Sequence, residues 1–176
     1  MQQVQAASLR LADRTSTEVL TLWARVDAGT MTIAEFRAAA AAVIARANAQ
    51  GVALADLGLV AEVARQLRRA VRPLGLTDPV AVDQQRIDRT LTTAIGSGGH
   101  DPVAQLARVA RSETLVTVAN GVQAAMAGHS ATGWVRQLDA DPCPACRGWA
   151  DGQVRPVGTR MARHPGCGCI QAPVFT

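Results

Sequence analysis

The chain has 176 residues, of which 48% are hydrophobic and only 3% aromatic, so it can form one domain, or one domain and a small module, with an aliphatic core. Its net charge of +4, carried by Arg without any Lys, permits contact with nucleic acid but is too modest to establish it. Because there is no run of about 18 apolar residues and Met1–Ala7 does not resemble a secretory signal, no transmembrane helix, export or membrane partner is expected.

Apolar residues recur at helical spacing in the first part of the chain and predict three helices. The three stripes are Val19, Leu22, Trp23 and Val26; then Ile33, Phe36, Ala40, Val43, Ile44 and Ala47; then Leu57, Val60, Ala64, Leu67 and Val71. Thr32 and Glu35 have the spacing of a capping box that opens the second helix. Gly51 separates the second helix from the third, and Pro73 ends the third.

Two further helices are predicted before residue 130. The fourth opens at Pro79, and its apolar stripe is Ile87, Leu91 and Ile95. A Gly-rich break follows at 96–99. Asp101 then caps a fifth helix, which is expected to run to about Ala127.

Beyond residue 130 the helical spacing of apolar residues ends, and every second residue follows the alternation typical of short strands. The alternating residues are Trp134, Arg136 and Leu138, then Val154 and Val157, and finally Ile170, Ala172 and Val174. Asp151-Gly152 has the composition of a hairpin turn. The sequence therefore predicts a mainly α fold, with a helical domain over residues 1–130 and a small β-rich C-terminal module over residues 131–176. So short a module, poor in apolar groups, needs something besides a core to hold it together.

Five candidate metal ligands cluster in this C-terminal module. They are Cys143, Cys146, His164, Cys167 and Cys169. Two Cys separated by two residues can hold one ion from a tight turn, and a second pair of ligands on a distant loop completes a tetrahedron. Four of the five are expected to bind, with one of Cys167 and Cys169 left out. Since binding energy in such sites becomes folding energy, a structural zinc is predicted to stabilise the module.

Two other interpretations of the cluster are free thiols or a disulfide, and a catalytic zinc. Metal binding is favoured over disulfides because the chain has no export signal. The Pro-Cys-x-x-Cys at 142–146 also occurs in zinc deaminases, but their His-x-Glu is missing here, as is His-Glu-x-x-His. Structural zinc is therefore favoured, and no catalytic residue is assigned.

The C-terminal residues, taken in order, resemble the phage Mu F-like head morphogenesis (minor capsid) proteins. The matching residues are Arg111-Ser112-Glu113, Asn120, Trp134, Asp139 or Asp141, Cys143-Pro144-Ala145-Cys146, Asp151-Gly152 and His164-Pro165-Gly166-Cys167-Gly168-Cys169. The resemblance covers roughly residues 105–176. Two positions depart from the family pattern: Ser112 stands where Thr is usual, and Gly168 where Arg is usual.

The resemblance implies a structural minor head protein of a tailed bacteriophage, associated with the portal and the capsid interior and acting in head assembly or DNA delivery. The implied partners are the portal protein, the major capsid protein and, as a further candidate, packaged double-stranded DNA. The implied location is the virion, with the host cytoplasm during assembly.

Two alternatives to a structural head protein stay open. One is a capsid maturation protease, a role assigned to some relatives, although no Ser-His-acid signature is recognisable. The other is a nucleic-acid-binding zinc module, although no recognition helix of the zinc-finger type is visible. The chain is therefore not expected to be an enzyme.

Three polar residues of the predicted fifth helix are candidates for anchoring the C-terminal module. Glu113 and Asn120 lie in register with the apolar stripe, and Arg111 lies on the adjoining face. A carboxylate and an amide on such a face need partners if they are buried. Arg111, Glu113 and Asn120 are therefore predicted to anchor the module, with a partly solvated helix edge as the alternative.

Four arginines form a predicted basic stripe on the third helix. Arg65, Arg68, Arg69 and Arg72 have the spacing i, i+3, i+4 and i+7, which places them on one helix face. Such a stripe can bind phosphates or an acidic partner surface. An ordinary solvated face is the alternative interpretation.

Overall fold

The computed structural model describes residues 1–96 and 101–175, so the predicted Gly-rich break at 96–99 lies largely outside the described residues. The helices and strands of this part of the chain are α1 (Gln2–Asp27), α2 (Ile33–Leu67), α3 (Gln84–Gly96), α4 (Pro102–Gly128), β1 (Gly133–Gln137), α5 (Pro144–Trp149), β2 (Arg155–Pro156) and β3 (Ile170–Val174). The prediction of a mainly helical fold with a small β part near the C-terminus is confirmed.

The predicted second and third helices are one helix, α2, of 35 residues. Its capping box is confirmed, since the backbone N–H of Glu35 donates to Thr32 Oγ1 at 3.2 Å and that of Thr32 donates to Glu35 Oε2 at 2.8 Å. Gly51 does not end the helix and lies instead where α2 packs against α4. A Cβ at this position would lie 2.9 Å from Val118 Cγ2, so the missing side chain lets the two helices approach.

Helix α1 begins at Gln2, far before the apolar stripe that predicts it. Its first half buries small polar residues between its apolar ones, which hides the helical period. The hydroxyl of Ser8 donates to the carbonyl of Gln5, and that of Thr15 donates to the carbonyl of Leu11, both at 2.8 Å. Because these hydroxyls bond to their own helix, they can be buried without a partner elsewhere.

Two hydrophobic clusters hold the elements together. One lies among the helices, where the rings of Trp23 and Phe36 meet edge to face with centroids 5.1 Å apart. The other joins helices to the sheet, and its buried members include Val4, Leu59, Val118, Val122, Trp134, Met161 and Ile170. The C-terminal part thus packs directly on α1, α2 and α4. The predicted division into residues 1–130 and 131–176 falls between α4 and β1 and stays a prediction.

The three strands form one antiparallel sheet in the order β2-β1-β3. Gly133 pairs with Val174 and Gln137 with Ile170, so the last strand lies along the whole of β1. At Asp151-Gly152, Gly152 has φ +71° and the backbone N–H of Gln153 donates to Asp151 Oδ1 at 3.0 Å, but this segment joins α5 to β2. The expectation that it closes a hairpin is therefore wrong, because the six residues of α5 intervene.

Helix α2 is long and apolar enough, by length and composition alone, to cross a membrane. Half of the stretch that passes this test is buried inside the protein. Helices α1, α3 and α4 all contact α2, so part of its apolar surface belongs to the core described above. The expected absence of a membrane partner stays a prediction.

A single buried carboxylate fastens the segment after α2. Asp56, which is 3% exposed, accepts hydrogen bonds from the backbone N–H groups of Leu74, Gly75 and Leu76 at 2.8–3.2 Å. Hydrogen bonds to a charged group contribute about 1.5–3 kcal/mol each. The carboxylate therefore holds an otherwise irregular stretch of backbone against the helix.

We expect Asp56→Ala to lower the free energy of unfolding by about 2–3 kcal/mol, since the three N–H groups lose their acceptor but regain water in an exposed segment. Asp56→Asn keeps one acceptor oxygen, so a smaller loss is expected. Urea unfolding measures both, and hydrogen exchange should show faster exchange at residues 74–76. Asp27→Ala, at an exposed site, serves as the control. An unchanged midpoint for Asp56→Ala would show that the carboxylate is dispensable.

Candidate metal centre

A short helix and the segment before β3 bring the predicted ligands together. Cys143 is the N-cap of α5, and its sulfur accepts a hydrogen bond from the backbone N–H of Cys146 at 3.4 Å. On the other side of the cluster, the backbone N–H of Cys167 donates to the carbonyl of His164 at 3.1 Å. Cys169 directly precedes β3. The first two ligands are therefore positioned by a short helix, and the last three by the approach to the edge strand.

The ligand atoms lie close enough together to hold a metal ion. His164 Nε2 is 3.2 Å from Cys143 Sγ and 3.3 Å from Cys146 Sγ, and the sulfurs of Cys146 and Cys167 are 3.5 Å apart. The five residues form two groups of three, Cys143–Cys146–His164 and Cys146–Cys167–Cys169, which share Cys146. Zinc–sulfur bonds of about 2.3 Å place neighbouring ligands of a tetrahedron about 3.8 Å apart. The chemistry and spacing of the donors thus fit a thiolate-binding metal.

The cysteine sulfurs differ in burial, and Cys143 differs from Cys146 and Cys169 in the direction of its pKa shift. Cys146, Cys167 and Cys169 are each no more than 2% exposed, and all four cysteines are free thiols. Burial raises the pKa of the thiols of Cys146 and Cys169, because it penalises the charged thiolate. The backbone N–H of Cys146 lowers the pKa of Cys143 by donating to its sulfur. A metal ion that replaces the thiol protons would remove the cost of burying these sulfurs together.

Helix α1 contacts the centre directly, through a residue that no sequence pattern singles out. Gln5 is buried, and its Nε2 donates to the carbonyl of Gly168 at 3.0 Å. A Cβ on Gly168 would lie 2.8 Å from both Leu9 Cδ2 and Asp139 Oδ2. The absence of a side chain at position 168 therefore fits the close approach of α1. Only the folded structure reveals this contact, since 163 residues separate Gln5 from Gly168.

Two arginines beside the cluster were also missed. Arg136 Nη1 lies 3.8 Å from Cys146 Sγ, and Arg163 Nη2 donates to the carbonyls of Cys167 at 3.0 Å and Leu115 at 3.1 Å. The sequence did contain a signal that Arg136 contacts a partner. Arg136 alternates with Trp134 on one face of β1, and an Arg on an apolar face needs a partner. Arg163 directly precedes His164, but nothing in the sequence shows that its side chain turns inward.

The predicted anchors on α4 have other partners. Glu113 forms two hydrogen bonds with Arg86 of α3, at 2.6 and 2.9 Å, and Arg111 forms an ion pair with Asp13 of α1. These contacts join helices to one another, and the predicted anchoring of the C-terminal part by these two residues stays a prediction. Asn120 is exposed on α4 and lines a groove whose other wall includes residues 157–163. Its predicted role as an anchor stays a prediction.

The predicted basic stripe is not one helix face. Helix α2 ends at Leu67, and Arg68 follows as its C-cap in the left-handed conformation at φ +51°. Arg69 and Arg72 lie beyond it in irregular backbone, and Arg65 pairs with Glu62. The four arginines do not share one helix face because α2 ends at Leu67, well before the predicted end at Pro73. Contact of these four arginines with phosphate or a partner stays a prediction.

Comparison of the chain with protein-family models, with curated proteins and with solved structures finds no match.

Proposed function

We propose that this chain is a structural minor head protein of a tailed bacteriophage whose C-terminal part is held in place by one zinc ion. The observation that supports this most strongly is the gathering of the Cys and His residues of the head-protein pattern into one buried cluster. These residues span positions 143–169 of the sequence. Such a cluster is expected of a protein that must stay folded in a particle while it has few aromatic residues for its core.

Zinc is the metal that best suits this donor set. Thiolates and imidazole are soft or borderline ligands, and tetrahedral sites of three cysteines and one histidine, or of four cysteines, are typical of structural zinc. Four of Cys143, Cys146, His164, Cys167 and Cys169 would hold the ion. When bound, zinc supplies a cross-link between α5 and the segment before β3. Contacts of Gln5, Leu115 and Trp134 hold that cross-linked part against the helices.

A structural role is favoured over the two alternatives. A protease of the Ser-His-acid type needs a histidine beside a serine hydroxyl, whereas His164 Nε2 lies against two sulfurs. A zinc module that reads DNA inserts a recognition helix into the major groove, whereas α5 has six residues. We therefore assign no catalytic residue, and we propose that the protein is located in the virion, near the portal and the capsid interior.

The proposal is tested in particles of the phage that encodes the chain. Quantitative mass spectrometry of purified virions is expected to find the protein in few copies, and cross-linking is expected to join it to the portal or the major capsid protein. A phage lacking the gene should regain infectivity with the wild-type chain and with Gln153→Ala, but not with Cys146→Ala. Absence of the protein from virions and from assembly intermediates would contradict the proposal.

The protease alternative has a separate test. When the chain is co-expressed with the major capsid protein, the mass of that capsid protein should stay unchanged. A shortened capsid protein that depends on this chain would favour the enzyme and overturn the structural assignment.

A further inference from the structure

Arg163 carries a positive charge into the interior without a carboxylate partner. Its Nε and Nη1 atoms are buried and have no hydrogen-bond partner in the described part of the chain. Its Nη2 donates only to the main-chain carbonyls of Leu115 and Cys167. The carboxylates that form ion pairs within residues 1–96 and 101–175 do so with other groups. A buried cation in such surroundings is costly unless an anion lies nearby.

Arg163 lies beside two of the predicted metal ligands. Arg163, Cys167 and Cys169 line the same enclosed cavity, whose volume of about 10 Å³ is at the lower limit for one water molecule. A water could accept one N–H bond from the guanidinium but would bring no charge. Burial lowers the pKa of Arg163, and the neighbouring Cys167 acts against that shift. Thiolates at the cluster would therefore supply negative charge close to Arg163, in addition to the Asp139 carboxylate beside Gly168.

Arg136 approaches the same cluster from β1. Its Nη1 lies 3.8 Å from Cys146 Sγ, Nη2 donates to the carbonyl of Ala162, and the guanidinium carbon is 5.3 Å from the centroid of the Trp149 ring. Like Arg163, it has no carboxylate partner in the part of the chain that the structure describes. Two guanidinium groups thus flank the cluster of cysteines, and neither forms an ion pair with a carboxylate in the described part of the chain.

We infer that Arg163 and Arg136 are the counter-charges of an anionic metal–thiolate centre, an inference that rests on the proposed metal. A divalent ion with three thiolates and one imidazole carries one negative charge, and with four thiolates it carries two. Because metal binding replaces thiol protons, the centre gains this negative charge when the ion binds. The two side chains therefore stabilise the metal-bound state relative to the metal-free one, which makes them positioning residues for the centre.

This inference predicts that the loss of stability in an Arg163 variant depends on bound zinc, which a purely structural arginine would not give. In the zinc-loaded full chain, Arg163→Gln should lower the midpoint of thermal unfolding and raise the Kd for zinc at least about tenfold, as expected for a group next to the ligands. In the chelator-treated chain, the same substitution should leave the midpoint unchanged or raise it. Arg163→Lys should retain most of the zinc affinity, because it keeps the charge. Arg147→Gln, with the same charge change at an exposed position beside Cys146, is the matched control.

Cobalt(II) substitution gives a second readout that survives if the metal-free chain does not fold. Sulfur-to-cobalt charge-transfer absorption of the wild type should correspond to three or four thiolates, and Arg136→Gln should weaken cobalt binding without changing that absorption. If Arg163→Gln and Arg136→Gln bind zinc as tightly as Arg147→Gln, the inference fails while the metal site stands. If the wild-type chain binds neither zinc nor cobalt, the proposed metal site itself fails.

Discussion

Cys146→Ala is expected to abolish metal binding and to loosen the whole C-terminal sheet. Cys146 is the member common to both groups of candidate ligands, so neither group keeps three close ligands after its loss. Its sulfur contacts both His164 and Cys167, which come from the segment before β3. With the cross-link gone, β1 and β3 keep their strand pairing, the hydrophobic cluster that joins the sheet to the helices, and hydrogen bonds such as that from Gln66 Nε2 to the carbonyl of Pro173 at 3.0 Å, but they lose the contact that joins them to α5. Small domains with so little core depend on their metal.

Hydrogen exchange should show where this loss is felt. We expect exchange at Trp134 and Ile170 to be at least about tenfold faster in Cys146→Ala, which corresponds to about 1.4 kcal/mol or more in the free energy of local opening. Exchange at Phe36, Ile44 and Leu91 should be unchanged, because these residues belong to the cluster among the helices. Gln153→Ala, an exposed change in the same part of the chain, serves as the control. Equal protection in both variants would mean that Cys146 holds no structural ion.

Trp134→Ala is expected to lower the free energy of unfolding by about 3–5 kcal/mol, the usual cost of removing a large buried aromatic side chain. Trp134 is 4% exposed and packs in the cluster that joins the sheet to the helices. Its indole N–H also donates to the carbonyl of Thr159 at 3.0 Å. Urea unfolding at saturating zinc measures the loss without the added effect of a changed metal content.

Two other substitutions separate the contributions of Trp134. Trp134→Phe keeps an aromatic ring but removes the indole N–H, so a smaller loss is expected, including about 1 kcal/mol for the hydrogen bond. Trp149→Ala removes the same side chain from a position that is 41% exposed, so we expect a loss of about 1 kcal/mol or less. If Trp134→Ala costs no more than Trp149→Ala, the sheet and the helices do not share a common core.

The helices could be predicted from the sequence wherever one apolar stripe faces one core. The stripe around Phe36 and the capping box at Thr32 both identify the start of α2. The first half of α1 could not be predicted in this way, because its buried hydroxyls bond within the helix and read as polar positions. The prediction that Gly51 separates two helices was wrong for a related reason, because Gly51 lies at a contact with another helix, α4, which a local pattern does not show.

The ligands of the candidate centre could be predicted, but its surroundings could not. Spacing and residue type single out Cys143, Cys146 and His164, because metal chemistry limits which side chains can serve. The contacts of Gln5 and Arg163 depend on where distant helices pack, which a local pattern does not encode. The same limit explains Glu113, whose need for a partner was evident from the sequence while the identity of Arg86 was not.

The most direct measurement is native mass spectrometry of the full chain purified without chelator, combined with hydrogen exchange before and after zinc removal. One zinc ion per chain is expected, together with faster exchange at Trp134, Val135 and Ile170 once the ion is removed and recovery when it is restored. A chain that carries no metal, or one whose sheet exchanges at the same rate with and without the ion, would contradict a structural metal centre built on Cys146.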